Sequence, residues 1–195
     1  MAMVLHVPGL WNSGPEHWQS YWEKAYGHRR VLQADFDHPV RDEWIETLER
    51  AVREAAAEST EGPVVLVGHS LGCATIAFWA QRFAPADAKR SGPHPVAGAL
   101  LVAPSDSEAP GYPKEPVGFT PMPRGPLAFP SIVVASSDDP YVSLDRARTF
   151  AAAWGSRFVD AGPLGHINSD SRLERWPFGY ALLRELVEAA VPAGR

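Results

Sequence analysis

Six short apolar runs, set at intervals along 195 residues, constrain this chain more than any other feature. They are "MVLHV" (3–7), "RVLQA" (30–34), "VVLVG" (64–68), "VAGALLVA" (96–103), "SIVVAS" (131–136) and "RFVDA" (157–161). Several are apolar at nearly every position rather than every second one. A strand of that kind needs cover on both faces, which is the condition of a parallel sheet held between two helical layers. The intervening segments supply the cover. Residues 15–26 carry Trp18, Tyr21, Trp22 and Ala25 at helical spacing, and residues 41–58 carry Trp44, Ile45, Leu48, Val52 and Ala55 on one stripe. On the wet side of that second helix Glu46/Arg50 and Glu49/Arg53 stand four residues apart. Residues 71–84 are apolar nearly all round, and further helices are predicted at 144–154 and 175–190. Strand–helix alternation of this kind predicts an α/β fold: a three-layer α/β/α sandwich of about six mostly parallel strands, wound on both faces.

A chain of this length fits one domain, 1–195. The formal charge of -5, with no basic block or stripe, lacks the footprint of a nucleic-acid binder. The N-terminal "MAMVLHVPGLW" has no basic lead, and His6 and Pro8 interrupt its apolar stretch, so it reads as neither signal peptide nor membrane span. A single cysteine, Cys73, cannot form an internal disulfide; it reads as a buried small apolar residue, and a cytoplasmic location is expected. One segment breaks the rhythm. Residues 104–130, "PSDSEAPGYPKEPVGFTPMPRGPLAFP", are proline-dense and aperiodic, which predicts a loop covering a functional site.

Chemistry enters at Gly68-His69-Ser70-Leu71-Gly72, which matches G-x-S-x-G, the strand-to-helix elbow that lifts a serine out of the backbone. Chance produces such a string in roughly one chain in fifteen of this length. Its context, an apolar strand before and a helix after, therefore carries the reading. A serine hydroxyl is a weak nucleophile and needs a histidine base oriented by a carboxylate. In the order Ser, acid, His, the fifth apolar run ends in Asp138-Asp139-Pro140 and the sixth leads to His166 in a Gly-rich loop. All three groups then stand at C-terminal strand ends, where parallel sheets place ligands. Asp139 is favoured over Asp138, because it precedes a proline and opens a D-x-x-V run through Val142. Among the other histidines, His69 is the x of the elbow, and His6, His28, His38 and His94 have no matching acid. His17 is the one further candidate.

An oxyanion hole is predicted from the amides of Leu71 and of Leu10, the latter in "VPGLWNSGPEHW". Trp11, Phe119 and Tyr141 are the candidate substrate-binding residues, with Met122 beside them. No H-E-x-x-H, C-x-x-C, EF-hand loop, G-x-G-x-x-G or G-x-x-x-x-G-K-[ST] is present, so neither metal nor nucleotide cofactor is expected.

The combination of "HVPGLWNSGPEHWQSYWE", "VVLVGHSLGCATIAFWA", "LLVAPSD", "PSIVVASSDDPYVSLDRA" and "GHINSDSRLERWPFGYALL" resembles the small single-domain serine hydrolases related to retinoblastoma-binding protein 9 and the bacterial YdeN-like proteins. The resemblance spans nearly the whole chain. It implies an α/β-hydrolase fold trimmed of its first two strands, a triad of Ser70, Asp139 and His166, and hydrolysis of esters or amides. Retinoblastoma binding in that family is tied to L-x-C-x-E. Here Leu71-Gly72-Cys73-Ala74-Thr75 lacks the glutamate and lies in the predicted nucleophile helix, which argues against a pocket-protein partner.

The sequence thus reads as a serine hydrolase acting on a small carboxylic ester, thioester or amide, without nucleic-acid or membrane partner. The alternatives are a regulatory binding protein on a hydrolase scaffold, or an acyltransferase using the same triad.

Overall fold

A computed structural model describes residues 2–58, 62–87 and 94–190. Six strands, β1 (Met3–Val7), β2 (Arg29–Arg30), β3 (Val64–His69), β4 (Val96–Val102), β5 (Ser131–Ala135) and β6 (Arg157–Asp160), form one sheet in the order β2-β1-β3-β4-β5-β6. All five pairings are parallel. Among the described residues four α-helices connect strands, α1 (Trp18–Tyr26), α2 (Arg41–Glu58), α3 (Leu71–Asp87) and α4 (Leu144–Trp154), β4 runs to β5 through the proline-rich loop, and α5 (Pro177–Ala190) follows β6.

The doubly apolar runs divide by parity. Val64 and Leu66 of β3, Ala99 and Leu101 of β4, and Val133 and Ala135 of β5 face a core shared with Trp44, Leu48 and Val52 of α2, Ile76 and Trp79 of α3, and Phe150 and Trp154 of α4. Their neighbours Val65, Val67, Leu100, Val102, Ile132 and Val134 face a second core built on Trp18, Trp22, Leu182, Leu183 and Leu186 of α1 and α5. Each fully buried Val or Leu contributes about 1.5–3 kcal/mol of transfer free energy. The two-sided burial is what the apolar density of these strands requires.

The second strand is shorter than the predicted 30–34. Only Arg29 and Arg30 pair with β1, and the Val31 N–H then reaches the His6 carbonyl at 2.8 Å. Continuing the ladder would need an N–H from Pro8, which has none. The chain peels away, leaving Leu32 71% exposed. Helix α1 likewise starts at Trp18 rather than 15, because His17 caps it: its side chain accepts the Gln19 N–H.

The proline-rich segment 104–130 does two things. Ser105, Tyr112 and Pro113 border the cavity at the end of β3, in keeping with a cover. Its second half is core instead. Phe119 and Met122 are buried, Trp154 Nε1 donates to the Pro123 carbonyl at 2.8 Å, and Leu127 N–H bonds the Trp154 carbonyl. Aromatic anchors inside the loop, invisible to any periodicity, hold it down.

Candidate active site

Ser70 sits between β3 and α3 with φ 55°, in the left-handed region that an L-residue occupies at a cost of about 1–2 kcal/mol. Two close approaches enforce the turn. A Cβ on Gly72 would stand 2.0 Å from the Val7 carbonyl oxygen, and one on Gly9 would stand 2.8 Å from Ser70 Cβ and 3.1 Å from the Leu71 nitrogen. The loop after β1 is thereby pressed against the elbow. Trp11, Asn12, Ala103 and Ile167 also have positive φ. Strained backbone gathers in the loops at the C-terminal edge of the sheet.

Ser70 Oγ lies 2.8 Å from His166 Nε2, and His166 Nδ1 lies 3.0 and 2.9 Å from the two oxygens of Asp139. The Asp139 carboxylate is fully buried against the imidazole. A neutral His166 therefore donates Nδ1–H to the carboxylate and accepts the serine O–H at Nε2, the arrangement a general base requires. The structure thus brings together the three predicted residues in their predicted order.

Asp138 serves the loop rather than the ring. Its Oδ1 accepts the Gly165 N–H at 2.7 Å and the Ser136 hydroxyl at 2.7 Å, while Ser136 Oγ accepts the Leu164 N–H at 2.8 Å. These bonds, Ser136 first, hold its carboxyl below the usual range. From the other side His69 Nε2 donates to the His166 carbonyl at 2.9 Å, and Trp18 Nε1 donates to the Ile167 carbonyl at 2.8 Å. The loop that carries His166 is pinned on both sides of the ring. Sequence reasoning missed Ser136 and these braces; a serine three residues before the acid, at a strand end, was the available signal.

Leu10, Trp11, His17, Ser70, Ser105, Tyr112, Tyr141, His166 and Asn168 are among the residues around a cavity of about 290 Å³. Tyr141 lies edge-on to His166, with ring centres 4.6 Å apart, and Trp11 is 55% exposed at the rim. Phe119 is a correction: it is 1% exposed, packed edge-on against Trp44 and Phe78 in the core, and away from the cavity lining. A loop phenylalanine has more to gain from a helix–helix crevice than from a half-wet cavity. Ser105 and Tyr112 take its place at the cavity. Their hydroxyls lie 3.3 Å apart, and burial raises the Tyr112 phenol to about 12.

The remaining histidines stand outside the line of bonds from Asp139 to Ser70, and His38 has its acid in Asp35, 3.3 Å from Nδ1. His6 does have an acid: Nδ1 lies 3.2 Å from Glu23 Oε1, brought there by the packing of α1 on β1, and Nε2 lies 3.0 Å from His28 Nδ1. His17 and His69 stack edge-on beside His166, with His17–His69 and His69–His166 ring centres 4.6 and 4.9 Å apart. Neither is paired with a carboxylate, and burial, the largest influence, depresses both, His17 to about 3. Cys73 is buried in α3, and burial raises its thiol. Among the described residues, no group of three or more His, Cys, Asp or Glu side chains is placed to hold a metal ion, and no helix is long and apolar enough to cross a membrane.

A six-stranded parallel sheet carrying a strained serine, and a histidine in contact with it, at the C-terminal edge defines the class, an α/β-hydrolase-fold serine hydrolase. The sequence model of the family described as "Serine hydrolase" matches residues 4–185, and the chain belongs to that family. Among solved structures it is similar to a YdeN-like hydrolase from Pectobacterium atrosepticum, with 32% identity and a TM-score of 0.79 over 98% of this chain and 94% of that one. The ydeN gene product of B. subtilis shares the fold at 20% identity and a TM-score of 0.72, over 96% of this chain and 100% of that one. Est1E from Butyrivibrio proteoclasticus, solved with ferulic acid bound, shares it at 11% identity and a TM-score of 0.65, over 96% and 90%. Comparison with curated proteins finds no match.

Proposed function

We propose that this hydrolase cleaves a small carboxylic ester, thioester or amide through an acyl-enzyme on Ser70. The observation that carries the reading is the unbroken hydrogen-bonded line from Asp139 through His166 to Ser70, opening on a cavity. Ser70 Oγ attacks the carbonyl carbon as its proton passes to His166 Nε2. Asp139 holds the ring in the Nδ1–H tautomer and stabilises the imidazolium that forms.

The carbonyl oxygen, now an anion, takes the amides of Leu71 and Leu10. Leu71 opens α3, so its N–H has no acceptor within the helix. In the facing loop the Trp11 N–H goes to the Phe36 carbonyl and the Asn12 N–H to the Gly9 carbonyl, which leaves Leu10 as the amide for this task. Collapse of the intermediate breaks the bond to the leaving group, which departs with the proton from Nε2. Water repeats the sequence on the ester of Ser70, releasing the carboxylic acid and restoring the hydroxyl. No step calls for a cofactor. The modest cavity supports a short acyl chain.

Labelling by a fluorophosphonate tests this directly. Wild type is expected to label, and Ser70→Ala and His166→Ala are expected not to. A folded wild-type protein that stays unlabelled and cleaves no ester at pH 8 would overturn the reading.

A further inference from the structure

The shortest strand of the sheet delivers one side chain that the proposed chemistry leaves without a role. Of the two residues of β2, Arg29 is exposed and pairs with Glu58 at the surface. Arg30 is largely buried and reaches the loop that follows β1. Its Nε donates to Glu23 Oε1 at 2.9 Å, its Nη1 to Asn12 Oδ1 at 2.9 Å and to the Ser13 carbonyl at 2.7 Å, and its Nη2 to Ser20 Oγ at 2.7 Å. Ser20 Oγ in turn donates to the Gly14 carbonyl at 2.7 Å. One planar guanidinium thus ties residues 12–14 to α1, a span that the single nitrogen of a lysine cannot cover.

That loop needs holding. Trp11 and Asn12 both have φ 64°, a left-handed conformation that residues with a Cβ leave unless their neighbours enforce it. One bond gives the enforcement a chemical consequence: the Asn12 N–H donates to the Gly9 carbonyl at 3.1 Å. The Gly9 carbonyl and the Leu10 N–H belong to the same planar peptide and point in opposite directions. Whatever holds Asn12 on that carbonyl therefore sets where the Leu10 N–H points. Gly9 itself is seated against Ser70, so the turn of this peptide is the freedom that the clamp removes.

We propose that Arg30 is a positioning residue for the oxyanion: through Asn12 it fixes the Gly9–Leu10 peptide with its N–H turned to the oxygen that becomes an anion when Ser70 attacks. The inference rests on the serine-hydrolase reading and deepens it.

The test is Arg30→Lys, which keeps a positive charge beside Glu23 and removes the fork. A contact that strengthens as the oxyanion forms acts on kcat rather than on KM. With a short p-nitrophenyl ester, and turnover normalised to the folded fraction read by circular dichroism, kcat is expected to fall about tenfold to a hundredfold with KM within about threefold of wild type. Arg29→Ala, one residue away, is expected to behave as wild type. An unchanged kcat in Arg30→Lys, or a change in KM alone, would overturn the inference.

A second readout needs no turnover. The amides of Trp11, Asn12 and Ser13 are hydrogen-bonded in the wild type, to the Phe36 carbonyl, the Gly9 carbonyl and Asn12 Oδ1. Hydrogen–deuterium exchange of a peptide covering them is expected to rise about tenfold or more in Arg30→Lys while that of β3 stays as in wild type. Equal exchange in the two proteins would refute the clamp. Ser70-dependent turnover that is the same in wild type and Arg30→Lys removes the role of Arg30 alone. An inert wild type removes the hydrolase reading and the oxyanion with it, and the exchange result then decides the clamp by itself.

Discussion

Gly72→Ala separates the steric argument for the elbow from a propensity argument, because the two differ in sign. Gly72 is the second residue of α3, and in a helix alanine is favoured over glycine by about 1 kcal/mol. On that ground alone the variant gains stability. The added Cβ, however, lies 2.0 Å from the Val7 carbonyl oxygen and 2.8 Å from that of Pro8. Reaching an ordinary carbon–oxygen contact of roughly 3.3 Å takes about 1.3 Å of separation between α3 and the end of β1. Both obstacles are backbone, and β1 is paired on both sides, so neither can swing away.

Overpacking costs of this kind run up to about 3 kcal/mol, and with two backbone oxygens in the way the upper end applies, so the net loss is about 2 kcal/mol. For a domain of this size that lowers Tm by roughly 4–8 °C. The same separation draws the Leu71 amide away from the Leu10 loop. Losing one oxyanion donor costs about 10²–10³ in kcat. Thermal denaturation followed by circular dichroism, with p-nitrophenyl ester turnover on the same samples, reads both effects. A Tm at or above wild type with kcat within about threefold would refute the reasoning, since propensity would then have won.

Three further outcomes are expected. Asp139→Asn lowers kcat/KM about 10⁴-fold by spoiling the tautomer of His166, whereas Asp138→Asn, which keeps an acceptor for Gly165 and Ser136, lowers it about tenfold or less; steady-state ester hydrolysis distinguishes them. Phe119→Ala costs about 3–5 kcal/mol in urea unfolding and Trp11→Ala about 0.5 kcal/mol or less, which checks the core position of one and the rim position of the other. Below pH 6.5 the unfolded chain takes up a proton that His17 in the folded chain refuses down to about 3, so stability is lost as pH falls through that window. By pH 4.5 His17 alone accounts for about 3 kcal/mol, and urea midpoints for His17→Asn should fall less steeply between pH 7 and 4.5 than those of wild type.

What the sequence made legible follows from which interactions are local. The helix at 41–58 is legible in the sequence because an amphipathic stripe reports one face of one helix, and the helix expected at about 144–154 follows from the strand–helix alternation. Ser70, Asp139 and His166 were readable because each stands in a short string after its own strand, and a parallel sheet delivers successive strand ends to one edge. Phe119 was misplaced, and Ser105, Tyr112 and the Asp138–Gly165 brace were missed, for the opposite reason. The ring partners of Phe119 are 75 and 41 residues away, the Asp138 brace ends on a backbone N–H 27 residues on that carries no residue identity, and Ser105 meets Tyr112 through an aperiodic loop that folds back on itself. The end of β2 depended on Pro8, a residue of a different strand, and no pattern within 30–34 records it.

The neutrality of the cavity's other two histidines ties its wall to the proposed chemistry. During attack His166 becomes an imidazolium, and its one carboxylate partner is Asp139. His69 lies 4.9 Å from it, ring centre to ring centre, and is depressed well below 6.5 by burial first, with His17 and His166 adding to the effect. Were His69 charged, two like charges about 5 Å apart at an effective dielectric of about 20 would oppose the imidazolium by about 3 kcal/mol, enough to cancel about two decades of rate. Desolvation removes that opposition without removing the ring, whose Nε2–H still fixes the His166 carbonyl. A carboxylate introduced beside His69 would undo this by favouring its charged form. The kcat/KM of such a variant for an ester is expected to fall, because a charged His69 would oppose the imidazolium that forms on His166.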